Sequence, residues 1–224
     1  MLAGSIQPIS VMVVLTGGKV LPRDEEPKER WTMVRFEFDR EKAIAAICQI
    51  ASAGLPGLTK GKICKLIFLA DRLHLVRYGR PITGDALYAM EHGPVPSETL
   101  KLLDALEAGA EGLDAGPLAE FVALDRRFKY PHVQSIRQPE ADWFSPSDLK
   151  VFEEVIHEYG RKTFQELRTL THDFDSYKKA WECRTENRAI MRFEDLFEDE
   201  DADAIEGARE EMLETASLRE GLCG

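Results

Sequence analysis

The sequence predicts a mainly helical α+β fold: a compact helical domain carrying a small β-hairpin element. Apolar residues recur at helical spacing through most of residues 39–181, and cap and stop signals bracket each run. Two stretches alone, 86–90 and 119–138, read as extended. Hydrophobic residues make up 44% of 224, enough for one sizeable core with appendages.

Asp39 caps a helix to about residue 53, with Ala43, Ile44, Ile47 and Ile50 on one face; Gly54 and Pro56 stop it. Thr59 opens the strongest helix, which ends near Tyr78. One face carries Ile63, Leu66, Ile67, Ala70 and Leu73, and another Cys64, Phe68 and Leu75. Apolar residues on two faces place this helix in the middle of the core. Each large side chain buried there contributes about 1.5–3 kcal/mol. Gly79 and Pro81 are its stop.

A turn at Thr83-Gly84-Asp85 leads to the extended piece 86–90. His92-Gly93-Pro94-Val95-Pro96 is not helical, because each proline pushes the residue before it out of the helical region. Ser97 caps a helix to about residue 108, with Leu100, Leu103 and Leu106 inward. Gly109, Gly112, Gly116 and Pro117 mark a loop, and the loosely alternating residues 119–138 supply the β-hairpin.

Ser145-Pro146-Ser147-Asp148 starts a helix to Tyr159, ended by Gly160. Thr163 and Glu166 form a capping-box pattern for a helix to about His172, and a short helical turn covers 176–181. A last amphipathic helix can form on Ile205, Ala208, Met212 and Ala216.

The domain plan is therefore a mobile, dispensable extension over 1–35, a helical body over 36–197 and a C-terminal tail over 198–224. The net charge of −11 is uneven. Residues 194–214 hold eleven acids against one base, Arg209, so the body is close to neutral. Direct nucleic-acid binding lacks its usual basic footprint. No apolar run approaches the roughly 20 residues that cross a bilayer. The short apolar stretch 11–15 lacks the basic flank and cleavage site of a signal peptide. A cytoplasmic location is expected, with Cys48, Cys64, Cys183 and Cys223 reduced.

Catalytic and metal motifs are missing. Asp71 and His74 share a helix face, but no second histidine stands at helical spacing from His74, and no HExxH, GxSxG or GxxxxGK[ST] occurs. No catalytic residue, metal or cofactor is expected. Two surfaces are candidates for binding instead. The proline-fixed segment His92, Gly93, Pro94, Val95 and Pro96 is preformed, and rigid loops bind with less ordering cost. His172, Tyr177 and Trp181 offer aromatic anchors, a residue type enriched at interfaces.

Several blocks in order carry a family resemblance. Lys65-Leu66-Ile67-Phe68-Leu69-Ala70-Asp71 is followed by Tyr78-Gly79-Arg80-Pro81-Ile82-Thr83-Gly84-Asp85, then by Ala89-Met90-Glu91-His92-Gly93-Pro94-Val95-Pro96-Ser97. The order closes with Thr171-His172 and the segment from Tyr177 to Trp181. Over about residues 38–197 the chain resembles the Panacea domain of SocA-like antitoxins, also known as phage-associated proteins. The resemblance implies a helical domain with a small β element and a partner toxin encoded next door. It also implies, from some relatives, a proteolytic adaptor that delivers the toxin to ClpXP. It brings no catalytic residues. Two other readings stand beside it: a transcriptional regulator, which needs a basic groove-entering helix not seen here, and a hydrolase or metal enzyme using Asp71, His74 or His92.

Overall fold

The computed structural model describes residues 34–109, 116–138, 143–198 and 202–222. The chain divides into two units, Met1–Thr32 and Met33–Gly224, and every described residue belongs to the second. The extension expected over 1–35 thus lies outside the described residues up to residue 33. Val34 is already buried, and its N–H donates to Glu194 Oε1 at 2.9 Å. Phe36 meets Phe193 edge-on at 4.9 Å between ring centroids.

Helix α1 spans Arg40–Ser52 and α2 spans Lys60–Tyr78, with the Asp39 and Thr59 side chains capping them as their sequence positions require. Gly79 closes α2 in the left-handed conformation, φ +69°. From Lys62 to Val76 only Leu73 is not buried. The helix is central because α1 and α3 (Ser97–Ala108), α5 (Pro146–Tyr159) and α6 (Phe164–His172), and α8 (Ala202–Leu222) all pack on it. The expected capping box of Thr163 with Glu166 is formed, and the expected Ser145 cap forms one as well, with Asp148. A short helix α7 covers Asp175–Glu182, and α4 covers Gly116–Ala119 where the sequence suggested loop. The rest of that glycine-rich loop, 110–115, lies outside the described residues.

The expected hairpin within 119–138 is present as β3 (Val122–Asp125) and β4 (His132–Ser135). A second sheet was not anticipated. It has the order β2-β1-β5, from β1 (Leu87–Met90), β2 (Gly93–Pro96) and β5 (Arg188–Ile190), all antiparallel. The segment His92–Pro96, read from sequence as a turn between strand and helix, is therefore strand from Gly93 onward, with only His92 in the turn. The register explains how two prolines fit. Met191 N–H donates to Leu87 O, so the odd-numbered residues of β1 bond toward β5. Tyr88 and Met90 are left to bond Val95 and Gly93, and Pro94 and Pro96 fall at the outward positions of an edge strand.

The start of α3 corrects a second expectation. Ser97 does not cap it. The Asp85 carboxylate reaches back from the preceding turn to accept from Glu98 N–H at 2.9 Å and Thr99 N–H at 2.7 Å. β2 runs straight into the helix through Pro96, so the orphan N–H groups are met from outside the local sequence.

Candidate functional site

The tight β1–β2 turn, Glu91 and His92, is held by its backbone carbonyls. Lys65 Nζ donates to Pro94 O at 2.7 Å, on the outward edge that no strand covers. Tyr177 OH donates to Met90 O at 2.9 Å. The His172 ring donates to the backbone of His92, and Arg168 Nη2 lies 3.5 Å from Glu91 O. Side chains from α2, α6 and α7 thus fix four positions within five residues. Gly93 is required here: its φ is +95°, and a Cβ would stand 2.7 Å from Lys65 Nζ and 2.9 Å from Thr171 Oγ1.

Lys65 is buried here, and Arg168 and His172 are half-buried. Burial pushes the Lys65 amine down to about 7. Burial also lowers His172, with Arg168 and Lys65 adding repulsion. From His172 a ladder of rings leads outward. His172 lies 4.5 Å from Tyr177, Tyr177 stacks on Trp181 at 6.1 Å with 12° between planes, and the Arg184 guanidinium covers Trp181 at 3.8 Å. Tyr177 and Trp181 are one helical turn apart on α7, which is why they stack.

Beside the hairpin opens a cleft of about 1250 Å³. Its walls come from the first turns of α2 and α6, the β1–β2 hairpin, α3, the β3–β4 turn and the end of α7. His92 stands at its edge, edge-on to Phe164 at 6.4 Å. Val95, Trp181 and the exposed Tyr130 also line it.

The two candidate surfaces are therefore one place. His92, Val95 and Trp181 face the cleft; Gly93, Pro94, His172 and Tyr177 hold the hairpin that forms its wall; Pro96 is buried where β2 enters α3. Lys65, Arg168, Phe164 and the Lys129-Tyr130 turn were not singled out by sequence. Lys65 alone left a signal, as the one charge interrupting the apolar run 63–70.

The residues weighed for hydrolysis do not converge. The Asp71 carboxylate accepts from Ile82 N–H, Thr83 N–H and the Thr83 hydroxyl. His74 is wholly buried between Arg80 O, at 2.8 Å, and Ser147 and Asp148, each at 3.0 Å. Burial would raise Asp148, but His74, Ser145 N–H, Arg80 and Lys42 hold it well below the usual carboxylate range. These contacts tie α1, α2 and α5 together, while His92 lies in the separate hairpin. Among the described residues no group of three or more His, Cys, Asp or Glu is placed to hold a metal ion. No described helix is long and apolar enough to cross a membrane.

A family model described as antitoxin SocA-like, Panacea domain, matches residues 63–182, from the first turn of α2 to the last residue of α7. Neither the curated proteins nor the solved structures contain a match.

Proposed function

The chain belongs to the SocA-like antitoxin, Panacea domain family, and from that premise we propose that it binds and neutralises a toxin encoded beside it. The observation that supports this most is the use made of the matched segment. Among the described residues, its buried Asp71, His74 and Asp148 serve turns and helix packing. Lys65 and Tyr177 lock the β1–β2 hairpin against a cleft lined by His92, Val95 and Trp181. A rigid, preformed surface with aromatic anchors suits protein recognition, because little ordering cost is incurred on binding.

The test is co-expression with the small protein encoded next door, scored by growth and by purified-complex affinity. The full chain should rescue growth. The pair His92→Ala and Trp181→Ala should weaken the complex at least about tenfold, or roughly 1.4 kcal/mol, and lose rescue. Intact binding in that variant overturns the site; failure of the full chain to rescue from a lethal neighbour overturns the antitoxin reading. Toxin levels in the same cells separate the two modes. Blocking leaves the toxin present, whereas delivery to ClpXP makes it disappear and requires the protease.

A further inference from the structure

We infer that the cleft takes an acidic segment of the toxin that carries an apolar or aromatic anchor; this rests on the antitoxin reading and names the chemistry of the partner. The charges of the cleft run against those of the chain. The whole sequence carries −11, yet two exposed cations without a carboxylate partner among the described residues stand on this surface. Lys129 and Arg184 line it, and both are exposed. Each rests on an aromatic ring, Lys129 at 5.2 Å from Tyr130 and Arg184 at 3.8 Å from Trp181. No carboxylate among the described residues forms an ion pair with either. Arg168 is packed behind the hairpin.

The carboxylates of the cleft are fewer. Glu107 is engaged by Lys60 at 2.6 Å, and Asp104 takes the same amine at 2.7 Å. Glu91 is left at the hairpin turn. A partner carboxylate at Lys129 or at Arg184 would therefore meet a cation already resting on a ring, with no ion-paired acid among the described residues to displace. The lining also includes the apolar Cys64, Val95, Leu100 and Phe164. A side chain entering there loses water from its apolar surface, and an acidic residue beside it reaches the rim. At about 1250 Å³ the cleft exceeds the roughly 300–1,000 Å³ typical of small-ligand pockets, which suits several residues of a polypeptide.

Nucleic acid would also bring anions to cations and rings, but it presents a charge every ~1.7 Å of duplex. Two unpaired rim cations on a chain of −11 do not match that density. A discrete carboxylate does.

The test uses the full chain, the purified toxin and overlapping peptides of the toxin sequence. Lys129→Glu with Arg184→Glu should weaken toxin binding tenfold or more. Lys150→Glu, exposed on α5 and outside the cleft, should leave it within twofold. Melting temperature checks that each variant folds, and Lys129→Glu alone serves if the pair does not. The peptides that bind should be acidic with an apolar or aromatic residue, and should bind the reversed variant less. Four results overturn the inference: binding within twofold after reversal, selection of basic peptides, an oligonucleotide held more tightly than any toxin peptide, or self-association abolished by the reversal. The first two leave the antitoxin reading standing, provided the unaltered chain still binds and rescues.

Discussion

A lysine amine shut inside a helical core is an expensive choice, and Lys65 shows what sustains it. The side chain is 1% exposed and reaches one carbonyl, that of Pro94. Burial lowers it to about 7 from an ordinary 10.5. Between those values the unfolded chain holds a proton that the folded chain has shed, so stability rises with pH across the window and is insensitive to this group below it. The prediction is differential. The gap in urea midpoint between the chain and Lys65→Met should grow in favour of the chain from about pH 7 toward pH 10. Parallel profiles would show that the amine titrates normally. At this scale the sequence was partly legible: a lysine inside an apolar run announced a special position, but not its partner 29 residues away. Asp85 left no such hint, because a carboxylate that caps a helix from 13 residues upstream looks like any turn residue.

Elements with their own punctuation were read correctly, since caps, stops and 3.6-residue periodicity are local facts. β5 was invisible for the opposite reason. Three residues, Arg188-Ala189-Ile190, have no period, and they are a strand only because β1 offers an unpaired edge. The acidic tail shows a middle case. Its apolar positions were visible, and in α8 Ile205 and Met212 are buried, while Ala216 lies where no side chain is described. The close fit at Gly79, where a Cβ would stand 2.7 Å from Ala208 O, places α8 against the end of α2. Met212→Ala should then cost about 2–5 kcal/mol, read as a lower denaturant midpoint. No change would mean that α8 does not pack in solution. Deleting the tail would accordingly damage the body as well as remove charge.

Across the whole molecule, α2 joins two unlike ends. Its first turn borders the cleft with Lys129 and Arg184, and its last turn meets α8, inside a stretch of eleven acids and one base. At 1.5 Å per residue, 19 residues set these ends about 28 Å apart. Charge separated over that span orients an approaching partner before contact. Association with the toxin should therefore slow markedly as salt rises from about 0.05 to 0.5 M, where screening shortens to a few ångströms, while dissociation changes less. Stopped-flow mixing measures both. An association rate indifferent to salt would exclude steering.

The β1–β5 pairing sets a clock. Tyr88 meets Ile190 roughly a hundred residues downstream, and the ribosome adds about 5–20 residues per second. For about 5–20 seconds after β1 is made, its second edge has no partner to receive. Arg168, His172 and Tyr177, which pin the hairpin, are also still to come. The recognition surface is thus a late product of translation. A chain released early would contain the hairpin with Lys65 alone of its fasteners, so this surface is complete only once synthesis is nearly finished.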